Sequence, residues 1–139
     1  MSAIDTATAR LQTLALACTG IRGAPAYPVE DAGVLPLAIA HIVSGDGTAQ
    51  DFGTNQMRLT ANVDFHFNRM SLKDAYTRID TLIPEYMNRL AGDPKLGGAV
   101  DTIIFPVTFE VSPAQWDAVV TQMCSFAVTF KLRENSVST

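Results

Sequence analysis

Residues 56–67 read Gln-Met-Arg-Leu-Thr-Ala-Asn-Val-Asp-Phe-His-Phe, and every second residue is apolar. Successive side chains of a strand point to opposite faces. The apolar set from Met57 to Phe67 therefore shares one face, and the polar set from Arg58 to His66 shares the other. A long strand with two unlike faces is typical of an antiparallel sheet that packs one side on a core. The stretch predicts such a sheet, whose second side meets water or a partner.

Length and composition predict a single folded domain over residues 1–139. Of these 139 residues, 47% are apolar and 17% are charged, which fits a globular protein with one core. The low charged fraction suggests that part of the surface is buried against other subunits. The net charge is −4, and the ten lysines and arginines are scattered along the chain. This pattern argues against a nucleic-acid-binding groove. It is compatible with DNA that moves past the protein without being bound.

The sequence also predicts where the protein is made and which groups it lacks. No apolar run approaches the roughly 18–20 residues of a membrane-spanning helix, and the first residues lack the pattern of a secretory signal. We therefore predict synthesis in the cytoplasm and no membrane partner. No CxxC motif or Cys/His cluster is present, so we predict no metal and no cofactor. Cys18 and Cys124 are expected to be buried free thiols.

Changes of periodicity divide the chain into seven predicted elements. Helices are indicated by apolar spacings of three and four residues, and strands by spacings of two. In chain order, the seven elements are a helix over 4–18, strands over 35–43 and 56–67, a helix over 71–91, a strand over 100–111, a short helix from Ser112 and a strand over 124–132. We also predict an irregular segment over 20–34 after the first helix and a mobile polar tail over 134–139 after the last strand.

Residues 113–123 are the ambiguous part of this assignment. Ser112 followed by Pro113 is typical of a helix start. Val119, Val120 and Thr121 are β-branched, however, and favour a strand. We favour the short helix, and a single turn leading into a long strand is the alternative. In either case, four mainly antiparallel strands with helices on one face predict an α+β two-layer sandwich.

The polar face of the second strand carries the best candidates for acid–base chemistry. Asp64 and His66 share that face, and His41 lies on the neighbouring strand. A carboxylate beside an imidazole can move protons. No serine or cysteine nucleophile is linked to them by a motif, so an exposed strand face without catalytic role is the better interpretation. We predict that the protein is not an enzyme.

Three aromatic residues could line a pocket or fill the core. Tyr76 and Tyr86 belong to the apolar stripe of the second long helix, where aromatic residues are usually buried. Trp116 begins the ambiguous segment and is a possible interface anchor. We favour the core for all three.

A polar, glycine-rich segment over residues 44–53 joins the first two predicted strands. Hairpin loops usually have two to five residues, so this length suggests a function. Asp46 and Asp51 lack the ligand spacing of an EF-hand. We predict an assembly loop over 44–55 that becomes ordered on a neighbouring subunit or ring. The predicted interface residues are Asp46, Gln50, Asp51, Phe52, Arg58 and Arg133.

The order of elements and turns carries a family resemblance. An N-terminal helix leads to Tyr27-Pro28 and to a strand that starts at Leu35-Pro36. A long hairpin and an amphipathic helix follow. Residues 90–98, Leu-Ala-Gly-Asp-Pro-Lys-Leu-Gly-Gly, enter two strands that end at Arg133-Glu134. In this order, and most of all from Ser71 to Leu132, the chain resembles the tail terminator (tail completion, or minor tail) proteins of long-tailed bacteriophages.

The resemblance implies a structural role in the virion and no catalytic residues. Such proteins form a ring, usually a hexamer, that caps the finished tail tube and joins it to the head–tail connector. The implied partners are further copies of the chain, the tail tube protein and the neck proteins. DNA passes through the lumen without specific binding.

Two other functions compete with this interpretation. Another neck subunit, such as a head-closure or adaptor protein, would have a similar build. A small oligomeric α+β enzyme or ligand-binding protein would need a pocket with convergent polar groups and perturbed titrating residues.

Overall fold

The computed structural model describes residues 3–18, 21, 37–51, 54–68, 72–116 and 119–135. Apart from Ile21, the predicted irregular segment over 20–34 lies outside this part of the chain, and so do Leu35 and Pro36. The described elements are α1 (Ala3–Leu16), β1 (Leu37–Asp51), β2 (Thr54–Asn68), α2 (Leu72–Ala91), a 3-10 turn (Leu96–Gly98), β3 (Thr102–Trp116) and β4 (Val119–Asn135).

The four strands form one antiparallel sheet in the order β1-β2-β4-β3. Both helices pack on the same face, because their buried residues join the apolar side of β2 and β4 in one core. We call this the inner face, and the opposite side the outer face. The predicted α+β two-layer sandwich is confirmed.

An aromatic cluster holds α2 on the centre of the sheet. Tyr86 is fully buried, and its ring meets Phe65 and Phe126 edge-on with centroids 5.1 and 5.0 Å away. Its hydroxyl donates to the carbonyl oxygen of Leu11 in α1 at 3.1 Å. The core position predicted for Tyr86 is therefore confirmed. Tyr76 is 48% exposed, so its predicted burial is wrong, because the α2 stripe is wider than the surface that the helix buries.

Polar contacts join the two helices to the turn that follows α2. Arg10 Nε donates to Asp93 Oδ2 at 2.7 Å, and the Gly97 amide donates to Asp93 Oδ1 at 2.9 Å. These two donors hold the pKa of Asp93 below its usual range, the Gly97 amide most of all. Gly97 has a φ of 69°, a conformation that favours glycine. The turn thus directs the chain from α2 into β3.

The predicted loop over residues 44–53 is wrong, because β1 extends to Asp51. Its residues pair with β2 from Ser44 opposite Thr60 to Asp51 opposite Thr54, with bulges near Val43 and Gln50. A glycine allows this extension: a Cβ on Gly45 would collide with the Leu59 side chain on the inner face. The hairpin therefore continues where composition indicated a loop.

The predicted short helix after Ser112 is also wrong. β3 continues to Trp116 and β4 begins at Val119, with Gln115 opposite Val120. The β-branched residues of this segment favour the extended backbone, and Pro113 is tolerated because β3 is an edge strand. Of the alternative, the long last strand is confirmed, but the turn placed before it is wrong, because Ser112–Trp116 continue β3. β4 also includes Glu134 and Asn135, which the prediction had placed in the polar tail.

Candidate functional site

Several of the predicted interface residues meet at the closed end of the β1–β2 hairpin. Asp46 of β1 lies opposite Arg58 of β2, and Arg58 lies opposite Lys131 of β4. Asp46, Arg58 and Lys131 line a shallow pocket of about 180 Å³ together with Gln56 and Met57. We call this region the hairpin end. Sequence reasoning missed Lys131, although its place in the alternation of the last strand puts it on the outer face.

The remaining predicted interface residues lie close to the hairpin end along the backbone. Asp51 is the last residue of β1 and pairs with Thr54, and Gln50 falls at the adjoining bulge. Arg133 of β4 pairs with Gln56. Phe52 lies outside the described residues. Strand pairing thus brings the described members of the predicted set to one region.

The charges of the hairpin end are not neutralised within the described part of the chain. Among those residues, no ion pair within 4 Å joins Asp46 to Arg58 or Lys131. All three side chains are exposed. One carboxylate and two cations are therefore available to a partner, and mixed charges of this kind favour orientation and specificity over affinity.

The second candidate group lies on the outer face of the sheet. Ser125 Oγ donates to Asp64 Oδ1 at 2.6 Å, and His41 Nε2 lies 3.9 Å from Asp64 Oδ2. The carboxylate of Asp64 therefore lies between the hydroxyl of Ser125 and the imidazole of His41. A serine nucleophile requires the imidazole to accept its proton directly, so this order does not build a catalytic triad.

His66 is a structural residue on the same face. It is only 8% exposed, and its Nδ1 lies 2.8 Å from Thr121 Oγ1. Burial lowers the pKa of His66, and the negative charge of Asp64 partly opposes this effect. Thr121 is fully buried and Ile39 is 4% exposed, so this corner of the outer face is covered. The prediction of an exposed strand face is wrong for His66.

Both cysteines are buried and free in the structure, and their predicted burial is confirmed. Burial, followed by the nearby charge of Glu85, raises the pKa of Cys18 to about 11. Burial, followed by Asp64, raises the pKa of Cys124 to about 12. Because the thiolate is the reactive form, neither thiol is suited to act as a nucleophile.

The described residues contain no group of three or more His, Cys, Asp or Glu side chains that could hold a metal ion. None of the described helices has the length and apolar character needed to cross a membrane.

The sequence matches no protein-family model, and no curated protein matches it significantly.

Proposed function

We propose that the protein is a structural virion subunit, a tail terminator that forms a ring at the end of a phage tail tube. The hairpin end would contact the tube or the neck proteins. Further copies of the chain would complete the ring, and DNA would pass through its lumen.

The observation that carries this proposal is that the sheet continues past its own core. The last inner-face residues that are buried at this end are Leu59 and Leu132. On β1, the inner-face positions opposite Leu59 and Met57 are Gly45 and Gly47, which have no side chain to bury. Strands that do not serve the subunit's own core are suited to contacts with another subunit.

The charges of the protein fit a passage for DNA. The net charge of −4 disfavours tight binding of the phosphate backbone. The two cations of the hairpin end are accompanied by Asp46, so this region does not form the concentrated basic surface of a nucleic-acid groove.

Capping of purified tail tubes tests the proposal. The wild-type protein is expected to stop tube elongation and to appear as a ring at one tube end in electron micrographs. The double variant Arg58→Glu/Lys131→Glu is expected to fold but to cap poorly, because it reverses two charges of the hairpin end. Lys73→Glu is the control, since Lys73 is an exposed cation on α2.

The outcomes separate the proposal from its alternatives. Rings that bind the connector but never the tube would indicate a head-closure or adaptor subunit. A wild-type protein that binds neither structure would contradict a role in the tail or neck.

A further inference from the structure

Two cations lie side by side at the hairpin end. Arg58 of β2 is paired directly with Lys131 of β4. Residues that are directly opposite in an antiparallel pair share one face, with Cβ atoms about 5 Å apart. Both side chains are exposed and line the same shallow pocket. Like charges in this arrangement are destabilising, so the pair weakens the sheet to which it belongs.

No acidic side chain in the described part of the chain compensates for this repulsion. Asp46 lies opposite Arg58, but no ion pair within 4 Å joins it to either cation. On the other side, Lys131 lies opposite Thr102 of β3, whose hydroxyl donates to the carbonyl oxygen of Ile103. A local feature that opposes the fold without compensation is expected mainly at functional sites.

The chemical complement of the two cations is an oxyanion. An arginine guanidinium can hold a carboxylate through two parallel N–H···O bonds, and a lysine ammonium supplies further donors. The pocket that Arg58 and Lys131 line has a volume of about 180 Å³ and is also lined by Gln56. It therefore has room for the carboxylate of an acidic side chain.

Asp46 favours a single carboxylate over the backbone of a nucleic acid. The outer face carries Asp46, Arg58 and Lys131 in one row across three strands, with one negative charge followed by two positive charges. Duplex DNA carries one negative charge per about 1.7 Å of its axis, so neighbouring phosphates would meet the carboxylate of Asp46. An isolated acidic side chain can approach the two cations alone. The net charge of −4 acts in the same direction.

We propose that the hairpin end binds an aspartate or glutamate side chain of the tail tube protein, whose carboxylate lies between Arg58 and Lys131. This inference rests on the proposed function and names the chemistry of its contact with the tube. The bound carboxylate supplies the negative charge that the two cations lack in the described part of the chain. Contact with the tube therefore removes a repulsion that is present in the isolated subunit.

Carbodiimide cross-linking of tail tubes capped by the wild-type protein tests this contact. The reagent joins an amine to a carboxylate in contact with it, with net loss of water. The chain has three lysines, Lys73, Lys95 and Lys131, so mass spectrometry of the peptides can assign each product. Lys131 should be linked to an aspartate or glutamate of the tube protein. Lys73 should not, because α2 begins soon after β2 ends at Asn68, whereas the hairpin end lies at the start of β2.

Neutral substitutions separate the contact from the fold. Arg58→Gln and Lys131→Gln should each weaken capping about tenfold, because each removes a charge-assisted hydrogen bond. Lys73→Gln is the matched control and should cap like the wild type. Without tubes, Lys131→Gln should raise the Tm at low salt by about 1–3 °C, since it removes the repulsion, and high salt should abolish the difference. A lower Tm would show that Lys131 serves the fold and would contradict the inference.

The remaining outcomes distinguish this inference from the proposed function. If tubes are capped without a cross-link at Lys131, and both Gln variants cap like the wild type, the carboxylate contact is wrong and the proposed function stands. If the wild type binds duplex DNA and the double variant Arg58→Gln/Lys131→Gln does not, the two cations bind phosphate and the inference is overturned. If the wild type does not cap tubes at all, both proposals fail.

Discussion

At the scale of single residues, the buried imidazole of His66 makes stability depend on pH. Burial favours its neutral form, so its pKa in the folded chain lies below the ordinary value of 6.5. The unfolded chain therefore binds more protons between these two pKa values. The stabilisation that comes from burying the neutral imidazole is fully present above about pH 6.5 and is lost as the pH falls through the pKa of His66 in the folded chain.

Urea unfolding of wild type and His66→Gln checks this expectation. The wild type should lose free energy of unfolding between about pH 7 and pH 5, where an ordinary histidine titrates. The variant should show a flatter dependence over the same interval. Equal slopes for the two proteins would show that His66 does not cause the pH dependence of stability.

The hydroxyl of Tyr86 provides a second residue-scale prediction. Its bond to the carbonyl oxygen of Leu11 is buried, and a buried hydrogen bond typically contributes about 1 kcal/mol. Tyr86→Phe should lower the free energy of unfolding by about that amount in urea titrations. Tyr76→Phe is the matched control, because Tyr76 is exposed. It should change stability by less than about 0.5 kcal/mol. Similar losses in both variants would contradict a specific role of the bond.

At the scale of elements, the strands with regular alternation were predictable and the glycine-rich extension was not. β2 and the later part of β4 alternate strictly, so their inner faces follow from the sequence. Residues 44–47 read Ser-Gly-Asp-Gly, which are poor strand formers. They are extended because β2 offers a paired partner. Intrinsic strand propensity does not indicate whether a pairing partner is available. The same limitation explains the wrong prediction of a helix at Ser112–Trp116.

The predicted contact residues illustrate this limitation at the candidate site. The sequence predicts Asp46 and Arg58 as interface residues without placing one against the other. Their position opposite each other, with Lys131 beside them, depends on strand register. Strand register can be assigned only when the true lengths of both hairpin strands are known, and the sequence does not indicate those lengths.

Removal of the distal hairpin tests whether this element serves the fold or a partner. A variant that replaces residues 47–57 with Asn-Gly keeps the pair Asp46–Arg58 and supplies a favoured two-residue turn. Among the deleted residues whose side chains the structure describes, only Met57 packs against the core. The variant should therefore fold, with a loss of about 1–3 kcal/mol.

The same variant should fail to cap tail tubes. Circular dichroism and electron microscopy follow the two properties separately. Normal capping by a folded short-hairpin protein would show that the distal hairpin is only a long connection.

At the scale of the whole molecule, the two thiols report on different parts of the fold. Cys124 lies on β4, which is paired with β2 on one side and with β3 on the other. Its exposure requires the sheet to separate, so its protection should approach that of global unfolding. Cys18 lies just after α1, in a turn closed by a hydrogen bond of 3.0 Å from its amide to the carbonyl oxygen of Ala15. A local opening at the end of this helix exposes it.

Thiol alkylation of the native protein, followed by mass spectrometry, should therefore label Cys18 faster than Cys124. Burial raises the pKa of both thiols, and more for Cys124 than for Cys18, so thiol reactivity and access both favour labelling of Cys18. In denaturing urea, where burial is lost, the two rates should become similar. The rate at Cys124 should follow global stability. Faster native labelling of Cys124 would mean that the sheet opens before the helix does, and that the sheet is not the most stable part of the fold.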